Sequence, residues 1–128
     1  MQSKPTASRK EFNVYAIEVK VIDSKVDWNF YVGYTERTLD QRWLTYTELG
    51  RSVSKFFRND RVHALAYRKD LMKGWGPYDT KDEALIAEGD FALHLKDRGY
   101  RVYSDMLKKA EQRRAEGTAL MQPRPTGL

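Results

Sequence analysis

Residues 13–46 read NVYAIEVKVIDSKVDWNFYVGYTERTLDQRWLTY, and the fold turns on this stretch. Two short apolar runs, Val14-Tyr15-Ala16-Ile17 and Phe30-Tyr31-Val32-Gly33, flank a polar segment. Tyr15, Ile17, Val19 and Val21 alternate with Ala16, Glu18 and Lys20. That period of two predicts a half-buried strand over Asn13–Val21. Asp23, Ser24, Asp27 and Asn29 mark Ile22 to Asn29 as a loop. Phe30–Tyr34 forms the second strand of an expected antiparallel hairpin. Gly33 ends the apolar run and permits close approach. Thr38 suits the N-cap of a helix from about Leu39 to Leu49, with Gly50 as its stop. Leu39, Trp43 and Tyr46 share one face of it; Arg42 lies beside Trp43 and one turn before Tyr46.

Outward from this stretch, residues 1–11 are polar and basic and read as a flexible tail. They hold no apolar h-region and do not resemble a signal peptide. Downstream, Arg51, Lys55, Arg58, Arg61, Arg68, Lys69 and Lys73 face only Asp60 and Asp70. Val62, Leu65, Ala66 and Leu71 predict a second helix there, from about Asp60 to Met72. Gly74-Trp75-Gly76-Pro77 breaks it, and Tyr78 follows in a short third strand or an extended link. Thr80-Lys81-Asp82-Glu83 matches a capping box. It opens a helix of about Lys81 to Arg98, which Gly99 closes. Tyr100 to Ser104 fits a last short strand. Met106 to Glu116 is a charged, helix-compatible satellite, and Gln122 to Leu128 reads as a frayed tail. The expected organisation is a tail (1–11), one domain (12–104) and a C-terminal charged helix and tail (105–128).

The 128 residues suit one modest core. A content of 41% hydrophobic and 32% charged residues indicates a soluble globular chain. The sequence has no cysteine, which excludes disulfides and thiolate metal sites and fits a reducing compartment. No apolar run approaches the roughly 20 residues of a membrane helix. The formal net charge of +5 favours polyanionic partners, most simply nucleic acid. The basic segment makes Arg51, Lys55, Arg58, Arg61, Arg68 and Lys69 candidate nucleic-acid contacts; the alternative is a solvated face.

Glu88 lies inside the apolar stripes of the Lys81 helix, among Ala84, Leu85, Phe91 and Ala92. A core-facing carboxylate is costly unless a cation or metal meets it. It is either a structural ion pair, with Arg42 as one partner, or a ligand for a hard cation such as Mg²⁺ that keeps most of its waters. Tyr15 and Tyr31 have a plain reading as strand aromatics filling a core. Beside a cation or metal, tyrosines can also help to activate water. Arg42 is either an exposed helix arginine or a planar cation suited to a phosphodiester under attack. His63 and His94 show no paired ligands at metal spacing, and no Lys-Ser/Thr follows Gly74-x-Gly76 as a phosphate loop requires.

Taken in order, these pieces resemble the GIY-YIG nuclease family. Asn13-Val14-Tyr15 stands where that family has Gly-Ile-Tyr, and Tyr31-Val32-Gly33 where it has Tyr-Ile-Gly. Thr35, Leu39 and Arg42 follow as in its helix entry, and Tyr46 takes a position held there by histidine or tyrosine. The stretch from Thr80 to Leu85, then Glu88, is similar to the part carrying its metal-binding glutamate; Leu95, Gly99-Tyr100 and Val102 continue the likeness. The resemblance spans about Asn13 to Ser104. The sequence departs from the pattern at Asn13, which replaces a glycine, and at Tyr34, where a basic or polar residue is common. Its hairpin loop is long, and for the family's late asparagine Ser104 and Asp105 are the nearest polar candidates.

The resemblance implies an α+β domain, a three-stranded antiparallel sheet flanked by helices. It implies metal-dependent endonuclease cleavage of phosphodiesters, in DNA before RNA, with Mg²⁺ or Mn²⁺. Tyr15 and Tyr31 would orient or deprotonate water, Arg42 would steady the phosphate, Tyr46 would assist and Glu88 would hold the metal. The expected setting is cytoplasmic or nucleoid-associated, without membrane contact or secretion. The alternative is a weak or inactive module on the same scaffold that binds nucleic acid or a protein partner, as an inhibitor or accessory factor.

Overall fold

The computed structural model describes residues 11–21, 27–42 and 62–125. Strands β1 (Asn13–Val21), β2 (Phe30–Thr35), β3 (Val62–Tyr67) and β4 (Val102–Tyr103) form one sheet in the order β3-β1-β2-β4. Helices α1 (Lys69–Met72, a single turn), α2 (Lys81–Asp97) and α3 (Leu107–Ala115) complete these elements. The class is α+β, as expected. The sheet differs from a three-stranded antiparallel one: it has four strands, and β4 runs parallel to β2.

The hairpin forms as the alternation predicts, with Tyr15 opposite Gly33 and Ile17 opposite Tyr31. Its burial goes further than half. Val14, Tyr15, Ala16 and Ile17 are all buried, because β1 is an inner strand covered on both faces.

The expected helix from Asp60 to Met72 is corrected. Residues 62–67 form β3, antiparallel to β1, and only Lys69–Met72 is helical. The outer edge of β1 carries backbone donors and acceptors that need partners, and β3 supplies them. A register shift between Glu18 and Val19 marks where this pairing adjusts. Beyond it, Tyr78 forms an isolated antiparallel bridge with Phe12.

On one face of the sheet, Val14, Ala16, Phe30 and Val32 pack with Ala84, Ala87, Phe91, Ala92 and Leu95 of α2. The spacing of those helical residues is the i, i+3, i+7, i+8 stripe of a core-facing helix. Trp75 stacks on Phe91 at 4.9 Å between ring centroids. Thr80 caps the helix as expected: its hydroxyl accepts from the Glu83 amide at 3.1 Å, while the Glu83 carboxylate accepts from that hydroxyl at 3.3 Å. At the other end Gly99, at φ +99°, takes the left-handed turn that stops the helix.

A second side of α2 is buried by α3. A Cβ on Gly89 would lie 2.5 Å from the Met106 carbonyl oxygen and 3.2 Å from Ala110 Cβ, so the close crossing depends on a glycine. Asp90, only 2% exposed, accepts from Arg113 at 2.6 Å and from the Met121 amide at 2.9 Å. The expected frayed tail is corrected for residues 122–125. The Arg124 amide donates to the Gly74 carbonyl at 2.9 Å, and its guanidinium lies 5.1 Å from the centre of the Tyr78 ring. Residues 126–128 lie outside the described part.

Candidate active site

The opposite face of the sheet is built differently. Tyr15, Ile17, Val19 and Tyr31 form its buried cluster, with Leu39, Ala64, Tyr67 and Tyr103 packed against it. Each of the four strands contributes one tyrosine. The Tyr67 ring meets Tyr15 edge-on at 5.7 Å, Tyr15 lies 6.3 Å from Tyr31, and Tyr31 stacks on Tyr103 at 5.9 Å. Trp28 closes the row, edge-on to Tyr103 at 5.7 Å. Such offset and edge-to-face pairs are the favourable aromatic geometries.

Gly33 gives Tyr15 its place. A Cβ there would come within 2.7 Å of the Tyr15 hydroxyl oxygen, 2.9 Å of Cζ and 3.1 Å of Tyr31 Cε1. The space opposite Tyr15 therefore has to be empty of side chain, a consequence of the register that pairs Tyr15 with Gly33.

Arg42 reaches this row from the helical turn at residues 39–42. Thr38 starts that turn as predicted: its hydroxyl accepts from the Gln41 amide at 3.2 Å, and its own amide donates to Gln41 Oε1 at 3.3 Å. Arg42 is 9% exposed, and its Nε–H donates to the Tyr15 hydroxyl oxygen at 3.3 Å. The same residue lines a cleft of about 400 Å³ with Tyr34, Thr35, Glu36 and Arg37. Arg42 thus both bonds a buried phenol and lines the cleft. Tyr15 is 1% exposed and Tyr31 4%, so the phenols lie beneath this mouth rather than at the surface.

Glu88 lies on α2, 4% exposed. The Ser104 hydroxyl donates to its Oε2 at 2.7 Å. Burial pushes its carboxyl up to about 7; the Ser104 and Met106 donors pull it back and the Asp105 charge adds to the rise. The expected structural pair with Arg42 is not what forms: Arg42 bonds Tyr15, and among the described residues no cation meets Glu88. The link to the tyrosine row runs through β4, where Tyr103 stacks on Tyr31 and the next residue, Ser104, holds Glu88.

Among the described residues no three histidine, aspartate or glutamate side chains cluster as a metal cage. The acidic groups at this place are Glu88 and Asp105, whose charges oppose one another; these are the residues that would hold a hard divalent ion here.

The structure does not bring every predicted site residue into view. Tyr46, Arg51, Lys55, Arg58 and Arg61 lie outside the described residues. Arg68 is bonded twice to Asp70, at 3.0 and 2.8 Å, with Glu18 at 3.8 Å, so its charge is balanced locally. Lys69 is exposed at the start of α1. Sequence reasoning missed Tyr67 and Tyr103. Both pair directly with hairpin residues, Ile17 and Tyr31; the register shift between Glu18 and Val19 brings Tyr67 to the same face as Ala64, which simple alternation along 62–67 does not give.

No family model, no curated protein and no solved structure matches this chain. Among the described residues no helix is long and apolar enough to cross a membrane.

Proposed function

We propose that the chain is a GIY-YIG-type endonuclease that hydrolyses phosphodiester bonds in DNA with a divalent metal, Mg²⁺ or Mn²⁺. The observation that carries this reading is the contact of Arg42 with Tyr15 at the edge of an open cleft. A phosphate entering that cleft meets a planar cation whose Nε–H is already oriented by a phenol. Preorganised charge of this kind stabilises the transition state of phosphoryl chemistry without rearrangement during the reaction. Tyr15 and Tyr31 orient the attacking water or, with one of them ionised to the phenolate, take its proton; Tyr46 assists by hydrogen bonding. Glu88 holds the metal, which when bound supplies Lewis-acid stabilisation of the leaving oxygen. The basic residues of 51–69 give sequence-independent attraction to the nucleic-acid backbone, and the protein works in the cytoplasm or at the nucleoid.

A plasmid-nicking assay tests the reading. Cleavage that requires Mg²⁺ or Mn²⁺ and disappears in Arg42→Ala and Glu88→Gln is the expected result. No cleavage by the parent with any divalent metal overturns it.

One observation favours a second reading, a non-catalytic module that binds nucleic acid or a protein partner. Both phenols are almost fully buried, at 1% and 4% exposure, as packing tyrosines are. Retained DNA binding by the parent without cleavage selects that module.

A further inference from the structure

We propose that Tyr67 is a positioning residue that sets the Tyr15–Arg42 pair; its catalytic consequence rests on the nuclease reading. Tyr67 stands on β3, a segment distant in sequence from the hairpin and from the helical turn that carries Arg42. It nevertheless touches the supports of both partners. Its hydroxyl donates to the Leu39 carbonyl at 2.7 Å, in the same helical turn as Arg42. Its ring lies edge-on to Tyr15, at 5.7 Å and 66° between planes. Arg42 Nε and the Tyr15 oxygen are 3.3 Å apart, near the long end of a hydrogen bond. A contact at that length is lost if either support shifts slightly.

Two other ties of the turn differ in kind. Thr38 and Gln41 cap each other, which shapes the turn without fixing it to the sheet. The Leu39 side chain packs against the tyrosine cluster, which is non-directional and permits the turn to tilt. The Tyr67 hydroxyl is directional: it ties the turn's backbone to the edge strand β3, at a ring that packs on Tyr15. Misplacement of a reacting group by about 1 Å can cost about 100-fold in rate.

Tyr67→Phe deletes the hydroxyl and keeps the ring. Three measurements decide: kcat and KM for plasmid nicking, the exchange rate of the Arg42 Nε–H signal by NMR (assigned with Arg42→Lys), and the folded fraction from a thermal melt. Expected is kcat per folded molecule at least tenfold lower with KM unchanged, Nε–H exchange at least tenfold faster, and an almost unchanged melt. Parental exchange in Tyr67→Phe overturns the assignment, whether kcat falls or not, because any loss then arises elsewhere. A kcat that falls only as far as the folded fraction falls, or faster exchange with parental kcat, overturns the catalytic consequence. If the parent cuts no DNA with any divalent metal, the nuclease reading fails separately. The exchange rate then still decides whether Tyr67 sets the pair: faster exchange upholds that role, and unchanged exchange overturns it.

Discussion

On one face of the sheet Val14, Ala16, Phe30 and Val32 meet the long helix α2; on the other Tyr15, Tyr31, Tyr67 and Tyr103 meet one another and Arg42. Adjacent residues of β1 and β2 contribute to both sets, and β3 and β4 add Tyr67 and Tyr103. The helix face is aliphatic and aromatic carbon, held by burial alone. The tyrosine face is equally dry around Tyr15 but carries directional bonds, Arg42 to Tyr15 and Tyr67 to Leu39. The contrast teaches where stability and chemistry are separable in this chain. Changes on the helix face are expected to act on folding, and changes on the tyrosine face on cleavage.

The largest expected effect breaks the helix face. Phe91 is fully buried and stacked on Trp75. Phe91→Ala should cost about 3–5 kcal/mol of stability, read from urea unfolding. Its kcat, scaled to the folded fraction, should stay parental; a specific loss of kcat contradicts the division between faces. Next comes Arg42→Ala, expected to lower kcat by about 100- to 1000-fold with a melting shift smaller than that of Phe91→Ala. A large stability loss with parental kcat per folded molecule would make Arg42 a core residue.

Gly33→Ala sharpens the comparison within a single strand. The new methyl must displace the Tyr15 or Tyr31 ring, because the contacts of 2.7, 2.9 and 3.1 Å leave no room. Cleavage should fall about 10-fold or more, whereas Val32→Ala, one residue away on the helix face, should lower stability by about 1–3 kcal/mol at unchanged kcat. Steady-state kinetics and melts of the two variants side by side check this.

The smallest effect concerns pH. Glu88 has its carboxyl raised to about 7 in the folded chain. Between its ordinary range and about 7 the folded form holds a proton that the unfolded form has released, so stability falls as pH rises through that window. Glu88→Gln should flatten this slope and raise stability at pH 8 by about 1–3 kcal/mol, while abolishing metal-dependent cutting. Melts from pH 4 to pH 8 check it. A slope that persists in Glu88→Gln assigns the titration to another group.

Much of this division was open to reading in the sequence. Alternation placed Asn13–Val21, and capping chemistry placed Lys81 and Thr38, because both signals are local. The burial of Glu88 followed from its place in an apolar stripe. What failed was long-range. Val62–Tyr67 was expected as helix, since Val62, Leu65 and Ala66 fit a helical spacing as well as a strand. The unfilled edge of β1, which lies 40 or more residues earlier, decides the matter. The same error hid Tyr67 from the candidate site. The partners of Arg42 and Glu88 were equally out of reach: Tyr15 and Ser104 arrive through strand register and the turn after β4. Tyr31 and Tyr15 were visible as a motif, but their near-complete burial depends on β3 and β4, which no local pattern announces.

Asp90 has a consequence for the docking of α2. Its carboxylate is buried between α2 and α3, and its two partners come 23 and 31 residues later, at Arg113 and the Met121 amide. Docking of α2 with that anion answered therefore needs residues 113 and 121 in place, so the segment after α3 is part of what holds the long helix.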